Sequence, residues 1–187
     1  MKQLLSFIHA LHPLDENALE NLSSIVASKS VAKGAVIYSS NLYCRELFFI
    51  ETGLVKMQFN SEGNEFIMRF FEENLLCTDL ESFNTKNQSK YEIVAIENTE
   101  LLTIPFDKFE ALCAEHHSLE TFYRKLMTTA NLNMMARIKE MLEEDARKRY
   151  ENFIQKNPDL IQRISLGDLS KYLGITQVSL SRIRSAK

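Results

Sequence analysis

The spacing of apolar positions along the 187-residue chain changes twice. In residues 1–27, Leu14, Ala18, Leu19, Leu22, Ile25 and Val26 recur every three or four positions, which predicts helix, with Asp15 and Glu16 near its start. From 28 to 104 the period shortens. Residues 31–37 read as strand, turn and strand around Lys33-Gly34. Residues 47–50 and 54–59 read as strands meeting at Thr52-Gly53. Ser61-Glu62-Gly63-Asn64 is a turn leading into a strand at 65–71, and 93–96 and 101–104 are two more strands. Many short strands with tight turns predict an all-β sandwich or barrel. Between them, Asp79, Glu81 and Lys86 read as a solvated loop.

Pro105 closes the β region, and helical spacing returns at 106–112. A longer pattern, free of Gly and Pro, covers 118–142. Leu119, Tyr123, Met127, Ala130, Met134, Ile138 and Met141 form one apolar stripe, widened by Leu126, Met135 and Leu142. So long a stripe calls for two things to bury against. Its own β body is one, and the same helix of a second copy, paired along a coiled-coil-like seam, is the other. A further helix at 145–155 is stopped by Asn157-Pro158, and a brief turn spans 159–163.

Residues 165–184 read as two short helices. Ser165 and Asp168 form a capping-box-like start. Leu166, Leu169 and Leu173 supply the inner side of the first helix. Gly174 sits where a helix end calls for positive φ, and Thr176 is an N-cap for the second helix. Leu180 and Ile183 face inward there, leaving Gln177, Ser181, Arg182 and Arg184 on or near the outside. Two short helices joined by a Gly-containing turn make a helix-turn-helix, whose second helix would enter a DNA major groove. Thr176 and Ser179 would bond phosphates at the helix N-terminus. Arg182 could fork onto guanine O6 and N7, and Gln177 could pair with adenine.

Charge supports a polyanion at this end. The net charge is −3, yet residues 1–145 carry 13 Lys+Arg against 22 Asp+Glu, and residues 146–187 carry 9 against 3. A solvated helical face or a protein partner for the basic tail would fit the same asymmetry. Composition excludes other classes: 45% apolar and 25% charged residues argue against disorder, and no apolar run approaches a membrane span. Three scattered cysteines, Cys44, Cys77 and Cys113, make no disulfide framework and point to a reducing cytoplasm. No Gly-rich phosphate loop, HExxH, GxSxG or metal-ligand spacing marks an enzyme. His9, His12, His116 and His117 read as surface histidines, and no metal site is expected.

The order of parts resembles the Crp/Fnr superfamily of bacterial transcription regulators, and the resemblance covers nearly the whole chain. Lys33-Gly34 with Val36-Ile37 is similar to the first hairpin of that family, and 48–56 (Phe-Phe-Ile-Glu-Thr-Gly-Leu-Val-Lys) to its most recognisable strand pair. Tyr172-Leu173-Gly174-Ile175-Thr176 with Leu180-Ser181-Arg182-Ile183 resembles its recognition unit. The resemblance implies an α+β fold in three parts. Residues 1–115 would form a jelly-roll-like antiparallel β-roll sensor with flanking helices, 116–144 a dimerisation helix, and 145–187 an all-α helix-turn-helix domain. It implies a homodimer on double-stranded DNA, with RNA polymerase and an unidentified small-molecule effector as further partners and no membrane. It makes Gln177, Ser181 and Arg182 the best base-edge candidates; Arg184 is a further candidate DNA contact, and Lys187 is expected to matter mainly for overall affinity.

Two departures matter. Relatives that bind cyclic AMP carry Gly-Glu and, about ten residues later, Arg-Ser, which together hold the ribose and the phosphate. Here Cys77 and Thr78 fall at the first pair, and Ser89 and Lys90 near the second, so these four are the candidate effector pocket but lack the guanidinium fork. Cyclic AMP is therefore not expected as the ligand. The oxygen-sensing branch holds an iron–sulfur cluster on four cysteines, mostly N-terminal, whereas this chain has none before Cys44, so no cluster is expected. Val178 stands where the best-known members place an acidic reader, so their operator does not carry over.

Overall fold

The computed structural model describes residues 1–185; Lys187, expected to contact DNA, lies outside the described residues. Helices α1 (Lys2–Leu11) and α2 (Glu16–Ile25) precede strands β1 (Ala27–Val31), β2 (Val36–Tyr38), β3 (Glu46–Thr52), β4 (Val55–Ser61), β5 (Asn64–Phe71) and β6 (Leu76–Cys77). A short α3 (Leu80–Thr85) comes before β7 (Tyr91–Ala95) and β8 (Thr99–Pro105). The chain then runs through α4 (Phe106–Glu115), α5 (His117–Glu143), α6 (Ala146–Lys156), α7 (Leu160–Arg163), α8 (Leu166–Leu173) and α9 (Gln177–Ser185).

The strands form two four-stranded antiparallel sheets, ordered β1-β8-β3-β6 and β2-β7-β4-β5. Alternation along each strand sorts side chains into three cores. Phe48, Ile50, Val55, Met57, Ile93 and Leu101 meet between the sheets. Their neighbours Leu47, Phe49, Leu102 and Ile104 point the other way, onto Leu4, Leu22, Phe109, Leu119 and Phe122 of the flanking helices. The first sheet is thus covered on both faces, which is why 47–50 is a continuous apolar run. On the second sheet, Leu54, Ile67 and Phe70 point outward and are covered by Tyr150, Phe153, Leu160, Leu169, Leu173 and Leu180 of the C-terminal helices.

Three expectations need correction. The N-terminal helix is two helices, broken at His12-Pro13, because proline cannot continue the ladder of the turn before it; Asp15 caps the second by accepting from the Ala18 N–H at 2.9 Å. The strands at Thr52-Gly53 do not pair with each other. β3 bonds to β6 and β8, and β4 to β5 and β7, so the chain crosses between sheets at Gly53. Its φ is +98°, and a Cβ there would lie 2.6 Å from Thr99 Oγ1 and 2.7 Å from the Asn98 carbonyl, so only glycine turns this corner. Finally, Asp79 is not solvated. It is 3% exposed and accepts from the N–H groups of Glu81 and Ser82 as the N-cap of α3.

Candidate nucleic-acid interface

The helix-turn-helix forms as its local signals require. Ser165 accepts from the Asp168 N–H at 2.9 Å and starts α8. Gly174 ends it in the left-handed region, at φ +67°. The Thr176 hydroxyl accepts from the Ser179 N–H at 3.1 Å at the start of α9. Leu169, Leu173 and Leu180 are buried between the helices and the β-roll. Two details depart from expectation. The reciprocal half of the capping box is not made: the Asp168 carboxylate takes the Ser165 hydroxyl and Lys56 Nζ of β4 instead, at 2.9 and 2.7 Å. Thr176 also spends its proton, donating to Ser179 Oγ at 2.9 Å. Of that pair only the Ser179 hydroxyl keeps a proton to offer a phosphate.

The outer side of α9 is open. Gln177, Val178, Ser181, Arg182, Arg184 and Ser185 are all exposed. Val178, Ser181, Arg182 and Ser185 fall one turn apart on one face and line a shallow concavity. Gln177 is steered by its neighbour. Its Nε2 lies where a Cβ on Gly167 would come within 2.7 Å, so the amide lies across the first turn of α8.

Below the reader, a ring of contacts that sequence reasoning missed fixes it to the rest of the chain. Arg163, at the end of α7, donates to Glu73 through Nη1 and Nη2 (2.9 and 2.8 Å) and to Glu97 through Nε and Nη2 (3.0 and 2.7 Å). Glu73 also accepts from the Gly53 N–H at 2.9 Å, so this clamp grips the corner between the sheets. The Arg163 hydrogen bonds hold the Glu73 carboxyl down at about 2, well below its ordinary value. Lys171 of α8 pairs with Glu65 of β5 at 2.7 Å. From the long helix, the Arg137 guanidinium donates to the Tyr172 carbonyl and stacks 4.1 Å above the Tyr172 ring. Arg149 Nε donates to the Leu173 carbonyl at 3.2 Å. These two arginines satisfy carbonyls at the end of α8, where cations are favoured. No sequence period announces such partners, because they lie 24 to 106 residues apart.

The stripe on α5 divides. Leu119 is fully buried against its own chain, and Tyr123, Met127 and Ala130 are half-buried. Leu119 is therefore not on a free seam; α1 and α4 cover the first turns of α5, and Phe109 meets the Tyr123 ring edge-on at 5.4 Å. Beyond Ala130 the described residues cover α5 only on the side of Arg137 and Glu140, where Arg137 meets Tyr172. Met134, Ile138 and Met141 are exposed, Ile138 at 51%, with Leu132, Met135 and Leu142 beside them.

The four residues of the candidate effector pocket are not assembled as a phosphate cradle. Cys77 is buried, and burial pushes its thiol up. The Thr78 hydroxyl donates to the Glu46 carbonyl at 3.0 Å. The buried Ser89 hydroxyl donates to the Asp79 carboxylate, and Lys90 is exposed. Among the described residues Asp79 has no cationic partner within ion-pair distance. The three cysteines are free and buried and do not supply a four-thiolate set. Among the described residues no group of three His, Cys, Asp or Glu could hold a metal ion, and no helix is long and apolar enough to cross a membrane.

Fold and interface together define a class: a two-sheet sensor-type body carrying a helix-turn-helix reader on a long helix. The comparisons with known proteins agree. The cyclic nucleotide-binding domain family matches residues 28–116. The fumarate and nitrate reduction regulatory protein of Yersinia pestis is 25% identical over 185 residues, covering 91% of this chain and 72% of that protein. FixK2 from Bradyrhizobium japonicum superposes with a TM-score of 0.74 at 19% identity, over 87% of this chain and 84% of that one. A crp/fnr-family regulator from Eubacterium rectale gives 0.72 at 18%, over 91% and 82%. Residues 28–116 thus carry the likeness to the cyclic nucleotide-binding domain family, and over nearly its whole length the chain is similar to Crp/Fnr-type transcription regulators.

Proposed function

We propose that this chain is a homodimeric, sequence-specific DNA reader whose β-roll takes no cyclic nucleotide. The observation that carries the reading is the outer face of α9, where Gln177, Ser181, Arg182 and Arg184 stand exposed while Leu180 anchors the helix from behind. A single recognition helix reads only one half-site, so one copy alone would bind weakly. Two copies joined through the exposed end of the α5 stripe would read two half-sites about one DNA turn apart. Arg182 forks onto a guanine, and Arg184 and the Ser179 hydroxyl take phosphates. Lys187 would add to overall affinity.

The second half of the reading rests on Asp79. Its buried carboxylate already engages the N–H groups of α3 and the Ser89 hydroxyl, the groups best placed to receive a phosphate. A cyclic nucleotide entering there would bring a second negative charge beside a carboxylate that, among the described residues, has no cationic partner within ion-pair distance.

The test is duplex binding measured from 50 to 200 mM salt, for the full chain and for Arg182→Ala. Affinity of the dimer is expected to fall by about 10³-fold or more over that range, as counterions are released. Arg182→Ala should lose discrimination at one guanine per half-site. Salt-independent retention, or unchanged base preference in the variant, would count against the reading. So would saturable cyclic AMP binding in calorimetry, against its second half.

A further inference from the structure

The recognition helix carries one residue that folding does not explain. Val178 is 61% exposed, whereas the other aliphatic residues of α9, Leu180 and Ile183, are buried or half-buried against the body. Valine is also a poor choice for a helical surface, since its β-branch is disfavoured there relative to straight-chain residues. It occupies the first turn of α9, the end that faces base edges when such a helix lies in a major groove. Ser181, Arg182 and Ser185 share its face, so it stands within an otherwise polar surface.

We propose that Val178 is a specificity-determining residue that reads thymine through its C5-methyl group. The inference rests on the DNA-reading assignment of α9 and extends it to a base the polar residues do not account for. In the major groove the thymine methyl is the one apolar feature a base pair presents, and a small aliphatic side chain is its matching partner. The valine rotamer is nearly fixed in a helix, so its two methyls are held in place at little entropic cost. Geometry also places the thymine. Val178 and Arg182 are four residues apart, about 6 Å along the helix at 1.5 Å per residue, which is about two base-pair steps at 3.4 Å. The thymine read by Val178 therefore lies within about two base pairs of the guanine read by Arg182.

The experiment uses the full chain and a duplex carrying its enriched operator. Each thymine in the half-site is replaced in turn by deoxyuridine, which removes only the methyl. Affinity is measured for the native protein and for Val178→Ser, with circular dichroism confirming that the variant is folded. At one thymine near the Arg182-dependent guanine, the native protein should lose about four-fold per half-site, the worth of one buried methyl-sized group. Val178→Ser should bind the thymine and deoxyuridine duplexes equally while keeping its preference for the guanine. No deoxyuridine effect at any position, or an effect that persists in Val178→Ser, would overturn the Val178 assignment and leave the reading of α9 standing. Failure to enrich any operator would overturn both.

Discussion

Replacing Arg163 by methionine isolates the clamp that ties the reader to the β-roll. The substitution keeps much of the aliphatic stem and removes four hydrogen bonds to Glu73 and Glu97. Fully exposed ion pairs are worth at most about 1 kcal/mol, whereas breaking a buried one costs about 3–5 kcal/mol. Here the side chains are 26%, 32% and 33% exposed, between those limits, which puts the loss at about 2 kcal/mol. With a urea dependence of about 2 kcal/mol per molar, the unfolding midpoint should fall by about 1 M. The effect should also depend on pH in a fixed direction. Glu73 titrates lower when folded, at about 2 against an ordinary 4.5, so its stabilisation is complete above about 4.5 and is lost as pH falls toward 2. The native and variant midpoints should therefore converge between those values. An unchanged midpoint at pH 7, or a difference that is the same at pH 7 and pH 3, would refute the reasoning.

Other outcomes follow from the same geometry. Ile138→Glu puts a charge on the exposed part of the α5 stripe; analytical ultracentrifugation should find a folded monomer, and DNA affinity should drop by about 100-fold or more through loss of bivalency. Asp79→Ala removes the α3 cap and one of the two acceptors within reach of the Ser89 hydroxyl, the Tyr91 carbonyl at 3.1 Å being the other, so chemical denaturation should show a loss of about 1 kcal/mol. A loss under about 0.5 kcal/mol would mean the buried carboxylate is not structural. Gly53→Ala should be worse tolerated than Gly63→Ala. Both positions have positive φ, but only at Gly53 would the Cβ meet Thr99 and Asn98, so comparing soluble yield and melting temperature of the two checks the corner.

How far the sequence revealed this architecture depended on the range of the interaction. The helix-turn-helix was readable almost to the residue, because Ser165, Gly174 and Thr176 act on backbone groups within four positions of themselves. The long helix was readable from its stripe. Which part of the stripe was free was not, because α1 and α4, which cover Leu119, come from elsewhere in the chain. Strand positions were legible and sheet membership was not. Nothing local to Thr52-Gly53 distinguishes a hairpin from a crossing, and the partners that decide it lie at 64–77 and 91–105. Asp79 could have been found: Asp-Leu-Glu-Ser-Phe is a helix start with a capping residue, but the six-residue α3 is too short to show a period. The Arg163 clamp left no sequence signal, since one arginine and two glutamates far apart look like ordinary surface charge.

The central claim is that α9 reads a specific sequence as a dimer, with no cyclic nucleotide in the β-roll. In vitro selection from a random duplex pool, with the purified full chain at moderate salt and no effector, tests it directly. The account expects enrichment of a palindrome whose half-sites are one helical turn apart and whose guanine contact disappears in Arg182→Ala. Retention of bulk DNA with no enriched sequence would contradict it.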